Sequence, residues 1–207
     1  MDQIESSPRF WNLVGGSEYA SLSMLNEKSF NKIRESIKPY LPKLQANELA
    51  LDLGSGRNTP YFLSATDYQR HIANFVSLDF AYKMLAPNPV VNKVLADGIN
   101  APFVKSTYSF ITSFFLIRYV NYPLLFQEIS RLAKPRARLL LVDFNSSPNM
   151  GLKTNNFKTE VIMEQLSAEF DQLEAKKILP AKIIKSETFF VPDQERGPCY
   201  LITGLKK

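Results

Sequence analysis

At 207 residues the chain is long enough for one α/β domain whose core needs neither disulfides nor a structural metal. Its one cysteine, Cys199, excludes an internal disulfide framework and a multi-cysteine metal cluster, so a cytoplasmic setting is expected. The net charge of +5 is scattered, with only short pairs such as Lys176-Lys177 and Lys206-Lys207, which reads as a solvated surface and predicts neither a nucleic-acid nor a membrane partner.

In chain order, the start Met1-Asp2-Gln3-Ile4-Glu5 is polar and acidic, unlike a leader, and no later run of about 18 apolar residues could span a bilayer. Residues 1–45 read as a helical cap: Leu25, Phe30, Ile33, Ile37 and Leu41 recur at helical spacing until Pro39 and Pro42 end the run. From residue 48 short apolar runs (48–53, 72–79, 90–95) alternate with amphipathic stretches (60–69, 80–86), the pattern of βαβ units. The first run passes into Gly54-Ser55-Gly56-Arg57-Asn58, where two glycines let the backbone turn tightly and approach a ligand. Thr59 then suits an N-cap, with Pro60 at the first helical position.

A fourth strand is expected over 108–115 and a helix over 122–133, capped by Asn121 and carrying Leu125, Ile129 and Leu132 on one face. Residues 138–144 are continuously apolar except for the flanking Arg138 and Asp143, as in a central strand covered on both sides. Val161, Ile162, Leu166, Phe170 and Leu173 predict another helix. Strands at 181–191 and 199–205 then follow, joined by Pro192 to Pro198 as an antiparallel hairpin. The expectation is a single domain over 1–207: an α/β, Rossmann-like, doubly wound seven-stranded sheet with a terminal antiparallel hairpin.

In such a sheet a ligand lies at the C-terminal strand ends. Here the first strand ends in Asp52-Leu53-Gly54-Ser55-Gly56, the second in Val76-Ser77-Leu78-Asp79-Phe80, the third in Leu95-Ala96-Asp97-Gly98, and the fourth near Ser113-Phe114. With Gly98-Ile99-Asn100-Ala101-Pro102-Phe103 and Glu128-Ile129-Ser130-Arg131-Leu132-Ala133-Lys134-Pro135, this series resembles the class I S-adenosylmethionine-dependent methyltransferases, in their small-molecule, methyltransferase type 11-like branch. The resemblance runs from about residue 48 to 144.

The resemblance implies S-adenosyl-L-methionine as cofactor and a small molecule as methyl acceptor. Gly54, Ser55 and Gly56 would lie beneath the methionine portion with Asn58 nearby, and Asp52 would orient its ammonium. Asp79 would accept from both ribose hydroxyls, as a carboxylate with two oxygens can. Phe80 would pack on the adenine, Asp97 would accept from its amino group, and Ala96 and Gly98 would keep that wall thin. Ser113 and Phe114 would border the reacting methyl. Phe10, Trp11 and Tyr19 with Phe114, Arg118 and Tyr119 would form an aromatic, partly cationic lid, Tyr19 alternatively holding the cofactor's carboxylate. Each residue also has a purely structural reading: loop entry for the two aspartates, a tight turn for Gly56, core for the aromatics and a solvated Arg118.

Two departures from the family pattern lie away from the glycine turn: Ser109 replaces the usual acidic residue opening the fourth strand, and Pro135-Arg136-Ala137 replaces a glycine-rich turn, which reads as a surface matter. A third, Asn58 at the last small position of the glycine turn, is tolerable because Asn enters the left-handed region readily.

No catalytic base is assigned. A sulfonium methyl is already electrophilic, and His71, the only histidine, precedes the second strand at the far end. No metal is expected, because Asp143 and Ser113 alone stand at the ends of the fifth and fourth strands. Ser113-Phe114-Phe115-Leu116 lacks the polar-Pro-Pro-aromatic motif of nucleic-acid amino-methylation, and Cys199 lies in the last strand, away from the pocket. Three rivals stay open: attack on the cofactor's aminobutyrate chain, a nicotinamide-dependent oxidoreductase (disfavoured by Thr59 in place of the third glycine), and a non-catalytic binding protein. The oligomeric state is not legible.

Overall fold

A computed structural model of the protein describes residues 9, 11–12, 27–57, 72–145, 158–179, 182–184, 194–196 and 198–207. The expected helix over 60–69, His71, Phe10, Tyr19 and Asn58 to Pro60 lie outside the described residues.

Nine strands are described: β1 (Ala50–Leu53), β2 (Phe75–Asp79), β3 (Asn92–Leu95), β4 (Tyr108–Phe114), β5 (Ala133–Phe144), β6 (Phe170–Leu179), β7 (Lys182–Ile184), β8 (Gln194–Arg196) and β9 (Cys199–Lys206). Four α-helices with described bounds accompany them: α1 (Glu27–Ile37), α2 (Tyr82–Leu85), α3 (Tyr122–Leu132) and α4 (Thr159–Ser167). Seven strands form one sheet in the order β3-β2-β1-β4-β5-β9-β6, and β7 pairs with β8 separately. The first five are parallel, while β9 runs antiparallel between β5 and β6. This is the Rossmann-like sheet with its terminal antiparallel pair.

Alternation within the strands creates two cores. Leu139 and Leu141 of β5 join Leu51, Leu53, Leu78 and Ile111 beneath Leu125, Ile129 and Leu132 of α3 and Ile162 and Leu166 of α4. The intervening Leu140 and Val142 face the other side, with Ala50, Phe75 and Phe110, against Ile33 and Ile37 of α1. A strand buried on both faces has no polar alternation, which is why 138–144 reads as one apolar run. Asn121 caps α3 as expected, its side-chain oxygen accepting from the Leu124 N–H.

The C-terminal segment departs from expectation. The helix stops at Ser167, and Phe170 and Leu173 belong to strand β6, which is the partner of β9; the expected strand at 181–191 is described only as the short β7. β6 carries register shifts between Asp171 and Glu174 and between Lys177 and Leu179, and Gln172 has φ +51°. Bulges break the period-2 pattern that identifies a strand, and exposed Glu174, Lys176 and Lys177 suit a sheet edge. β5 starts earlier than expected, at Ala133, with Arg136 held at φ +65° where the resemblance expects glycine.

Candidate functional site

Strand order reverses between β1 and β4, so the topological switch point falls where the glycine turn leaves β1. The turn is built by backbone. Gly54 and Gly56 take φ +66° and +51°, and the Ser55 N–H between them donates to Leu78 O of β2 at 2.9 Å. Asp79, buried at the end of β2, completes it: Oδ2 accepts from the Gly56 N–H and Oδ1 from the Ala81 N–H, both at 2.9 Å. Burial pushes the Asp79 carboxyl up from its ordinary value, against the opposing pull of the backbone N–H groups of Ala81, Gly56 and Phe80.

Buried Asn88, which sequence reading missed, closes the turn from outside. Its Nδ2 donates to Gly56 O at 2.9 Å while its Oδ1 accepts from the Val90 N–H. The signal was the pair of prolines around it, Pro87-Asn88-Pro89, which forbids helix and exposes an amide side chain to local backbone. Asp52 is also buried; Thr112 Oγ1 on β4 donates to its Oδ1 at 2.7 Å, and Ser113 Oγ donates to Leu53 O at 3.1 Å. These side chains fasten β1 to β4 across the switch point. Ser55 Oγ is buried with no hydrogen-bond partner among the described residues, an unmet polar atom inside the turn.

The glycines are required for a reason other than open space. A Cβ on Gly54 would meet Leu116 Cδ1 at 2.9 Å, and one on Gly56 would meet Met84 Cε at 3.2 Å. Leu116 and Met84 therefore fill the faces from which a side chain would project. Leu116 reaches Gly54 because Phe115, at φ +59°, folds the chain back at the end of β4. Its N–H still donates to Val142 O at 2.7 Å. Left-handed backbone at a non-glycine residue costs about 1–2 kcal/mol.

Beyond β3, Asp97 is exposed, and its Oδ1 accepts from the Ile99 N–H at 3.0 Å in a tight local turn. Ala96 and Gly98 beside it are half-buried, and the Ala96 N–H donates to Asp79 O. Phe80 is half-buried and, among the described residues, belongs to neither core. The ends of β3, β2, β1 and β4 thus bring Asp97, Asp79, the glycine turn and Ser113 along one edge, across three inter-strand gaps of about 4.8 Å each.

The predicted lid residues divide. Trp11 and Tyr119 meet edge to face with centroids 5.0 Å apart, and the Lys83 N–H donates to Asn12 Oδ1, docking this N-terminal stretch at the end of the sheet that carries the glycine turn. Arg118, by contrast, is neither a lid cation nor solvated: it is 5% exposed and donates through Nε and Nη2 to Asp143 Oδ1 at 2.9 and 2.6 Å. Its guanidinium lies 4.9 Å from the Phe144 ring centre, 5.5 Å from Tyr119 and 5.8 Å from Phe115. Burial is the largest influence and opposes the charge of Arg118, but the attraction and hydrogen bonding of Asp143, with smaller contributions from Tyr119 and Cys199, together hold the guanidinium above its ordinary pKa. Phe114 packs partly against the core beneath α1. No group of three or more His, Cys, Asp or Glu suited to a metal occurs among the described residues. No described helix is long and apolar enough to cross a membrane.

Residues 25–180 match a family model described as a methyltransferase domain. No curated protein matches significantly. Among solved structures, an S-adenosylmethionine-dependent methyltransferase from Thermotoga maritima superposes with TM-score 0.67 at 16% identity, over 95% of this chain and 99% of its own. A chain from the complex between the Haloferax volcanii Trm112 methyltransferase activator and a candidate methyltransferase gives 0.67 at 15% identity, over 100% and 98%. Geranyl diphosphate C-methyltransferase from Streptomyces coelicolor, bound to Mg2+, geranyl diphosphate and S-adenosyl-L-homocysteine, gives 0.65 at 12% identity, over 89% and 86%.

Proposed function

The chain belongs to the methyltransferase-domain family, and from that premise we propose that it transfers the methyl group of S-adenosyl-L-methionine to a small-molecule acceptor at the C-terminal ends of β1 to β5. The observation that carries the site assignment is Asp79. It is buried, it ties the glycine turn to β2, and its two oxygens, which accept from the Gly56 and Ala81 N–H groups, have acceptor capacity beyond these bonds. Two vicinal ribose hydroxyls are the donors that would use that pair.

The neighbouring groups fit the same cofactor. The unmet Ser55 Oγ supplies a polar contact within the turn. Phe80, outside both cores, offers a face for adenine, and Asp97, bonded through Oδ1, leaves Oδ2 for an amino group. When bound, the cofactor supplies an already electrophilic methyl carbon. The protein's part is then to hold the acceptor in line and exclude water. Trp11 and Tyr119, packed together at this end of the sheet, would cover the acceptor. Arg118 and Asp143 neutralise one another beneath the aromatic rings and so present no free charge to it. The aromatic pair and the mutually neutralised Arg118 and Asp143, among the described residues, support a small acceptor over a phosphate-rich polymer. Asp52, joined to Thr112, would orient the ammonium.

The experiment is calorimetry of S-adenosyl-L-homocysteine with the protein and with Asp79→Asn, followed by turnover of labelled cofactor against small amines, phenols and carboxylic acids. Binding lost in the variant and S-adenosylhomocysteine as product support the assignment. Unchanged binding would remove Asp79 from the site, and methylthioadenosine as product would show attack on the aminobutyrate chain instead.

A further inference from the structure

At the opposite end of the sheet lies a cleft of 730 Å³ that this chemistry does not use. Its walls are the segment leading into β1, the start of β4 and the first residues of β5. Four lining residues are cationic, Lys43, Lys134, Arg136 and Arg138, against one carboxylate, Glu48. Lys43, Arg136 and Arg138 are exposed and Lys134 is half-buried. Glu48 is engaged in its own loop, Oε2 accepting from the Gln45 N–H at 2.8 Å.

The cleft is braced. Asn74 Nδ2 donates to Gln45 O at 2.8 Å and to Glu48 O at 2.9 Å, and the Ser109 N–H donates to Leu49 O at 2.9 Å. Arg136 is held at φ +65°, a conformation that glycine would adopt without strain, yet an arginine occupies it. Ser109 and Arg136 both line this cleft, and Arg136 adds to its positive charge.

We infer that this cleft is a second binding site, for a compact anion of the polyphosphate class. Its volume falls in the range of small-molecule sites, and guanidinium forks match phosphate oxygens in geometry as well as charge. The four cations meet around one bounded cleft, which suits a compact anion better than an extended nucleic-acid backbone. The cleft sits at the N-terminal strand ends and the glycine turn at the C-terminal ends, so an occupant here is an effector and not a methyl acceptor.

The probe is inorganic tripolyphosphate, titrated calorimetrically into the full chain at low and physiological salt. Arg136→Gly is the informative substitution because it removes the charge while keeping the backbone conformation; it is combined with Arg138→Gln, and Lys43→Gln with Lys134→Gln forms an independent second pair. Saturable binding is expected, weakened about tenfold by either pair and by added salt, with Lys176→Gln on β6 changing it by less than about twofold. Absence of saturable binding overturns the inference. So does retention of full affinity in both double variants, or equal weakening by Lys176→Gln. An RNA oligonucleotide that binds through the same arginines and that tripolyphosphate cannot displace would overturn the compact-anion assignment.

Discussion

Replacing Gly54 by Ala separates two physical terms that the turn combines. Gly54 sits at φ +66°, so a Cβ incurs about 1–2 kcal/mol of left-handed strain, of which about 0.4–1 is returned by the stiffer unfolded chain. The new methyl would also stand 2.9, 3.0 and 3.1 Å from Leu116 Cδ1, Cδ2 and Cγ, an overpacking worth about 1–3 kcal/mol. The single variant should therefore lose about 2–4 kcal/mol. Leu116→Ala, at a half-buried position, should lose about 1–2 kcal/mol. If the clash is real, the double variant loses less than the sum, because strain remains and overpacking vanishes. A favourable coupling of about 1–3 kcal/mol is expected from urea denaturation of the four proteins. Additive losses would refute the Leu116 contact, and a Gly54→Ala variant within about 0.5 kcal/mol of the parent would refute both terms.

Further outcomes follow from the same geometry. Asp79→Asn should weaken S-adenosylhomocysteine binding about 10–100-fold by calorimetry, since a charged acceptor is lost and its amide donor would face N–H groups. Because burial raises the Asp79 carboxyl, and hydroxyl donors favour its ionised form, ligand binding should release a proton. Affinity should thus fall as pH is lowered towards the ordinary carboxylate range near about 4, and a pH-independent affinity through that window would count against the assignment. Arg118→Ala should cost about 3–5 kcal/mol in chemical denaturation by stranding the buried Asp143 carboxylate, whereas replacing both partners by leucine should recover most of that loss. Asn88→Ala should cost about 1–3 kcal/mol, read as a lower urea midpoint, by leaving Gly56 O and the Val90 N–H unpaired.

The parallel half of the sheet was readable because its signals are local. An apolar run that enters glycines, or ends in an aspartate, carries its own boundary, and each of β1 to β5 overlaps the run expected for it. The C-terminal half was misread where local and tertiary preferences conflict. Phe170 and Leu173 continue the spacing of α4, but Ser167 ends that helix and the bulged chain pairs with β9. No periodicity in the sequence encodes a strand interrupted twice.

The sequence alone determined which residues gather at the strand ends, because in a doubly wound sheet position along the chain and position along the edge are linked by the βαβ connection. It also located the left-handed glycines, whose φ values only an achiral residue adopts freely. Tertiary structure alone decided what surrounds them. Leu116 and Met84 fill the glycine faces, Asn88 closes the turn across 32 residues, and Arg118 is withdrawn from solvent by Asp143, 25 residues away. It also gathered four scattered cations, from Lys43 to Arg138, around one cleft. Such pairings depend on distances between side chains remote in sequence, and these exist only once the chain has folded.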